Sequence, residues 1–276
     1  MFLHTKLRGG VLTRSFMRSV YYFAFLLFPA TCTLSQDFDQ NSQRSAVKAF
    51  MSSRTLRHDV EARKLMTARL EKKYVQDKRL SIRVRSGRIA TFNFDTSSIL
   101  RLSSGGFQVT VESIWVDLNN QVSSTVHEQI RFLVIEDVKL ADDIKWLKSV
   151  PRRPVLPFNV VSEKQGKFSM RIGKKFMRYL VDRNIQKATD LLTQEFQVQF
   201  ESQEKMKAFL LGSENPAYVG FEVTSLVQTE ERQMTMGTAI YLARPGEMGY
   251  QKLNASLTLR RGTFEWIVDD LEFEET

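Results

Sequence analysis

Carboxylates on an apolar face are the residues whose type and spacing could do chemistry. From Phe107 onward, Phe107, Val109, Val111 and Trp115 alternate as the inward face of a strand, with Ser113 interrupting, and Asp117 continues that face. A carboxylate among apolar side chains keeps its proton to higher pH and can serve as a base beside a donor such as Tyr. Asp117 is therefore the candidate pocket acid. It also opens Asp117-Leu118-Asn119-Asn120, where an Asp commonly caps a turn. Glu222 shares its parity with Tyr218 and Thr224. Phe221 and Val223 take the opposite, inward parity, so Glu222 reads as a solvent-side charge. His127, between Val126 and Glu128, reads as an exposed or cross-strand residue. No Ser/His/Asp or Cys/His set can be assembled. The three histidines, His4, His58 and His127, show no metal-ligand spacing. Gly105-Gly106 is a turn, not a phosphate loop. No catalytic residue, metal or cofactor is expected.

The clearest local bias is cationic. Between Arg57 and Arg88 lie 11 Lys/Arg against four acids. Arg63, Lys64, Arg69, Lys72, Lys73, Arg83 and Arg85 of this run are candidate contacts for anionic lipid, lipopolysaccharide or cell-wall polymer. The plainer reading is the solvated outer face of a helix and a hairpin. Aromatic residues are not interleaved with the run, which argues against single-stranded nucleic acid. The whole chain carries +9, yet residues 151–276 hold 17 basic and 17 acidic side chains. That half gives no support to nucleic-acid binding.

The only cysteine, Cys32, excludes an internal disulfide. It follows basic residues (Lys6, Arg8, Arg14, Arg18) and an apolar stretch from Val20 to Ala30. This is the order of a secretory signal, and the stretch falls short of the about 20 residues needed to span a bilayer. The segment Pro29-Ala30-Thr31-Cys32 resembles a bacterial lipoprotein signal, which implies a diacylated Cys32 as mature N-terminus. Pro29 and Thr31 stand where that pattern usually has Leu and Gly, Ala or Ser. A cleaved secretory signal with a chance cysteine, or an uncleaved anchor, is the alternative. Met1 and Met17 are both possible starts. Residues 1–32 are thus read as signal and 33–44, polar and aperiodic, as a tether.

The elements that would position these residues form a repeated plan. Residues 57–70 read RHDVEARKLMTARL, and residues 183–196 read RNIQKATDLLTQEF. In the first half, apolar spacing predicts helices over Ser45–Thr55 and His58–Gln76. An antiparallel meander follows: Ile82 to Phe94, Ile99 to Leu102, Phe107 to Trp115, Val122 to Ile135, and a short last strand at Ile144–Trp146. PRRPVLPFNVVSEKQGK, proline-rich at its start, marks a boundary and linker over 151–167. The second half predicts helices over Phe168–Arg183 and Ile185–Leu192, and an extended piece from Phe196 to Phe200. A helix follows over Ser202–Leu211 with Ser202 and Gly212 as caps. Strands are expected over Tyr218–Thr229, Gln233–Ala243 and Tyr250–Arg261, with a last one starting at Phe264–Trp266. Ala62, Leu65, Met66, Thr67 and Leu70 pair with Ala188, Leu191, Leu192, Thr193 and Phe196, and Ile144 and Trp146 pair with Phe264 and Trp266. Thr67 and Thr193 are expected to end or bend their helices.

The opening FMRYLVDRNIQKATDLLTQEF, Phe176–Phe196, and the closing GTFEWIVDDLEF resemble the nuclear transport factor 2-like superfamily. The resemblance implies an α+β fold of two tandem domains, 45–150 and 168–276, each a curved antiparallel sheet wrapped around two or three N-terminal helices. It also implies binding at a cone or on a sheet face. The expectation is an exported, membrane-anchored envelope lipoprotein that acts as a non-catalytic binding module. Its ligand would be a small apolar molecule in a cone, or a partner protein on a sheet face. One alternative is an isomerase- or dehydratase-like enzyme using a carboxylate in one cone. Another is a structural envelope-assembly accessory with filled cones. Envelope proteins or an anionic envelope polymer are the expected partners, and nucleic acid is not.

Overall fold

The computed structural model describes residues 40–76, 87–103, 105–152, 158–160, 162–263 and 265–274. Cys32, the leader, the first strand of the 80–94 hairpin, Arg83 and Arg85 lie outside the described residues. Residues 40–45 are helical, including positions read above as the end of a tether.

The repeated phrase does not form one long helix. In helix α1, residues 46–55, Val47, Phe50, Met51 and Arg54 are buried at helical spacing. The expected helix over 58–76 is instead α2 (Asp59–Lys64) and α3 (Ala68–Gln76). The break comes where Leu65-Met66-Thr67 leaves the helix to pair with an edge strand. The Ala141 N–H donates to the Leu65 carbonyl, and the Thr67 N–H donates to the Ala141 carbonyl, both at 2.8 Å. Thr67 Oγ1 then accepts from the Leu70 N–H at 3.3 Å and starts α3.

The second half repeats this device. Helix α4 (Glu163–Val181) is followed by α5 (Ile185–Thr189), α6 (Gln194–Gln197) and α7 (Gln203–Leu211). Between α5 and α6 the Val268 N–H donates to Leu191 O, and the Thr193 N–H donates to Val268 O, both at 2.8 Å. Thr193 Oγ1 caps α6 through the Phe196 N–H at 3.2 Å. The extended piece expected at 196–200 therefore begins inside a capped helical turn.

The strands are β1 (Arg88–Asn93), β2 (Leu100–Arg101), β3 (Phe107–Val116), β4 (Val122–Ile135) and β5 (Val138–Pro151) in the first half. They are β6 (Phe158–Asn159), β7 (Ala217–Glu230), β8 (Gln233–Ala243), β9 (Gln251–Arg261) and β10 (Trp266–Phe273) in the second. The sheets run β1-β3-β4-β5, with β2 also on β3, and β10-β9-β8-β7-β6. All pairs are antiparallel except β6 with β7. The fold is α+β with two sheets in sequence.

Two expectations are corrected here. The last strand of the first half is 14 residues long rather than a short piece around Trp146. Met66 bridges Ala141 and Leu192 bridges Val268. Ala141, not Ile144, is thus the counterpart in the closing strand, and it answers to Val268. Trp146 is 37% exposed while Trp266 is 5% exposed, as expected for residues that are not equivalent. Both closing strands carry a bulge at the next residue, Asp142 and Asp269. Helix α4 also starts inside the stretch read as linker, with Ser162 as its N-cap.

Each half has its own core between helices and sheet. In the first, Phe107 stacks on Phe132 at 4.8 Å and Phe50 meets Phe132 edge-on at 6.0 Å. In the second, Phe176, Met177 and Leu180 of α4 face Phe221, Met236 and Leu257 of the sheet. Helix and sheet approach so closely at Gly173 that an added Cβ would stand 2.5 Å from Met236 Cε. Each Phe so buried contributes about 1.5–3 kcal/mol.

The halves are docked. Ala90, Ile114, Val116 and Val122 form one apolar cluster with Val219, Tyr241 and Ala243. Around it the Phe221 N–H donates to Asn120 O at 3.0 Å, and the Gly249 N–H donates to Phe92 O at 2.8 Å. Arg88 donates to Asn120 Oδ1 at 3.0 Å and to Val219 O at 3.1 Å. Burial holds the Arg88 guanidinium below its ordinary pKa; neighbouring Arg57 adds to this and Asp182 opposes it.

Candidate anion-binding groove

Helix α4 is amphipathic in a particular way. Gly166, Ser169, Gly173, Phe176, Met177, Leu180 and Val181 are buried. Its outer face carries Lys164, Lys167, Arg171, the adjacent Lys174 and Lys175, and Arg178, otherwise spaced three or four residues apart. At 3.6 residues per turn this spacing is a single stripe along the helix.

The stripe lines two cavities. One, of about 560 Å³, is bounded by Lys167, Arg171, Lys174, Lys175, Arg178 and Tyr179 of α4. Phe221 of β7 and Asn119 and Gln121 from the β3–β4 turn complete it, with Met170. The other, of about 420 Å³, lies at the start of the helix among Ser162, Lys164, Phe168, Arg171, Arg261 and Trp266, with one carboxylate, Glu265, also on its wall. Arg171 lines both.

The cations differ in what they already hold. Lys167 pairs with Glu163 at 2.5 Å, and Arg178 reaches Asp182 at 3.4 Å and Asn119 Oδ1 at 3.0 Å. Arg171, Lys174 and Lys175 make no ion pair among the described residues. Arg171 lies over the Phe168 ring at 5.1 Å. Lys175 and Lys187 each lie 5.9 Å from the centre of the Tyr179 ring. Burial lowers the Lys174 pKa, with Asp117 opposing the shift. An anion entering the larger cavity would meet three cations that make no ion pair among the described residues, one of them half-buried within the field of Asp117.

Asp117 serves this groove indirectly. Its Oδ1 accepts from the Asn119 N–H at 2.7 Å and from the Gln121 N–H at 3.0 Å. It fastens the turn that carries both residues into the cavity wall, and its carboxylate is taken up there. In the basic run, Arg63 pairs with Asp59 at 2.5 Å, Arg69 with Asp142 at 2.8 Å and Lys73 with Asp143 at 2.9 Å. Lys64 and Lys72 are exposed. The structure does not bring these residues to the α4 groove.

Two buried or half-buried polar groupings escaped the sequence reading. Arg54 donates to both oxygens of Glu128, at 2.7 and 3.1 Å, and both side chains are buried in the first core. Burial alone would lower the Arg54 pKa, but the Glu128 carboxylate more than offsets it and the net shift is upward. The alternation Val126, Glu128, Ile130, Phe132 already placed Glu128 inward. At the junction of the halves, the Tyr241 hydroxyl donates to Glu222 at 3.1 Å and Lys252 holds the other oxygen at 3.2 Å. Tyr250 donates to Glu112 at 3.3 Å. Burial, then the neighbouring carboxylate, raises the pKa of both tyrosines. Glu222 lies outside the second core, but it is not the solvent-side charge its parity suggested, since its side chain is only 15% exposed and is held by Tyr241 and Lys252.

Among the described residues no group of three or more His, Cys, Asp or Glu is placed to hold a metal ion. No described helix is long and apolar enough to cross a membrane.

The fold and groove define an α+β protein of two helix-and-sheet halves with a stripe of cations and two cavities along one helix. No family model matches the chain, and no curated protein matches it. Among solved structures the chain is similar to a SEC-C motif-containing protein from Rhodopseudomonas palustris. That match has 10% identity and a TM-score of 0.30, over 38% of this chain and 77% of that one. It is also similar to an Ntf2-like protein involved in plasmid conjugation. Here the identity is 10% and the TM-score 0.29, over 85% of this chain and 97% of that one.

Proposed function

We propose that the chain is a non-catalytic binding module whose ligand is an anion held in the groove on α4. The observation that carries this reading is the set Arg171, Lys174 and Lys175, cationic, without ion-pair partners among the described residues, on the wall of one cavity. Evenly spread surface charge keeps a protein dispersed; same-sign charge gathered along a concave wall attracts a counter-charge. The repeated helix-and-sheet plan supports a nuclear transport factor 2-like reading of each half. The enzyme reading has less support. The carboxylate in the first core, Glu128, has both oxygens engaged by Arg54.

The test is titration calorimetry with inorganic pyrophosphate and long-chain polyphosphate, wild type beside the double variant Arg171→Glu/Lys175→Glu. Both probes should bind the wild type. Each reversed charge near an anionic ligand should cost at least about 1 kcal/mol, so the double variant should lose 30-fold or more, on the order of two such losses. Equal binding by both proteins would sink the reading.

In this reading the module is exported and tethered through Cys32, which the basic and apolar order of the leader supports. Intact mass of the full-length protein beside Cys32→Ala tests the tether. A mature chain beginning at Cys32 with acyl mass is expected, and an unacylated wild type would remove the anchor from the proposal.

A further inference from the structure

We infer that the ligand of the α4 groove is a linear phosphate polymer that runs along the helix and occupies both cavities at once. The inference rests on the anion-binding reading and adds the shape and chemistry of the anion. Three observations lead to it. First, the two cavities lie along the same helix and share Arg171 in their walls. From Lys164 to Arg178 the stripe covers about 21 Å at the rise of an α-helix. A single small anion would occupy only part of that length. Second, Lys164 and Lys167 stand in the first turns of α4, where the helix dipole already presents positive charge. Glu163 in the first turn answers Lys167, which leaves Lys164 without an ion pair among the described residues, and an anionic chain crossing the helix start would offset it. Third, the rings along the stripe already have cations beside them, although Phe168 stays 43% exposed. Arg171 caps Phe168, and Lys175 and Lys187 flank Tyr179. Single-stranded nucleic acid is held by bases stacked on free aromatic rings as well as by charge. With cations beside its rings, the groove offers bases less free ring face than a stacking platform does. Arginine in such a groove forks onto phosphate oxygens, and lysine meets them as a point charge.

The test compares pyrophosphate, tripolyphosphate, long-chain inorganic polyphosphate and an oligothymidylate strand, each titrated against wild type and Lys164→Gln. Lys164 lies on the smaller cavity, remote from Lys174 and Lys175 on the larger one, and is exposed. Its replacement leaves the core untouched. Linking contacts in one chain converts the later ones into intramolecular events, so long-chain polyphosphate should bind about 100-fold tighter than pyrophosphate. Lys164→Gln should weaken long-chain binding about fivefold, the share of one cation near a polyanion, and leave pyrophosphate unchanged. The salt dependence should be steeper for the long chain, because more cations are engaged. If pyrophosphate binds as tightly as the long chain, or Lys164→Gln has no effect on the long chain, the polymer assignment fails while the anion site stands. If oligothymidylate binds tighter than polyphosphate, the ligand class is nucleic acid and the inference is overturned. If no phosphate probe binds, the inference and the anion-binding reading both fail.

Discussion

Two kinds of cation in this chain show how burial separates structure from function. Arg54 is buried and spends its guanidinium on Glu128, fork to fork. Taking both charges out of water costs several kcal/mol per ion, and the pair returns that only while both members are present. Glu128→Gln is therefore expected to destabilise the protein by about 3–5 kcal/mol, because an unpaired guanidinium is left in the core. Arg54→Met combined with Glu128→Leu should recover most of that loss, since a well-packed apolar pair can match a buried ion pair. Urea denaturation of the two variants decides it. A double variant no better than Glu128→Gln would mean that the pair does more than satisfy itself. Arg171 and Lys175 are exposed, so their positions are not bought by packing. Removing their charges should leave the urea midpoint nearly unchanged, which is what allows a binding defect in Arg171→Glu/Lys175→Glu to be read as the loss of a site.

At the scale of elements, much of the second half was legible. The caps Ser202 and Gly212, the bounds of α7 and the span of β8 follow from side-chain types in a short window. Thr67 and Thr193 were legible only in part, since their hydroxyls begin the next helical segment but do not end the one before, which stops at Lys64 and at Thr189. What could not be read is why the helix breaks there. That requires knowing that a strand more than 70 residues later offers Ala141, and its counterpart Val268, to the exposed backbone of Leu65-Met66-Thr67 and Leu191-Leu192-Thr193. The bulges that follow are equally non-local. At Asp142 the bulge turns a carboxylate towards Thr67, Arg69 and Arg131, at 3.0, 2.8 and 2.6 Å. At Asp269 it offers one to Arg260 at 3.3 Å. The α4 stripe is a different failure. Its period is plain in the sequence, yet equal numbers of acids and bases over 151–276 hide it, because a balanced sum says nothing about how charge is distributed on a helix. The run at 57–88 is denser in sequence, but Asp59, Asp142 and Asp143 answer three of its cations in space.

At the scale of the molecule, the groove depends on the junction between the halves. Asn119 and Gln121 belong to the first half, and α4 and Phe221 to the second, so the larger cavity is whole only while the halves are docked. The docking is specific as well as apolar. Asn120, with a φ of 60°, turns its carbonyl to the Phe221 N–H and its amide to Asp182 at 2.7 Å. Beside it the backbones come so near that a Cβ on Gly220 would stand 2.7 Å from Val116 Cγ1 and 3.3 Å from the Asn120 carbonyl. Val116 is fully buried, so the crowding has little room to relax. The halves should therefore unfold in one cooperative step, with calorimetric and van't Hoff enthalpies equal. Gly220→Val should lower that transition by overpacking the junction, at a cost of about 1–3 kcal/mol. Below its own transition the variant should bind polyphosphate more weakly than wild type, although no groove cation has changed, because Asn119 and Gln121 are displaced from the wall. Two resolved transitions in the wild type, or a Gly220→Val protein that binds polyphosphate at full strength, would show that the groove belongs to the second half alone and that Asn119 and Gln121 are bystanders.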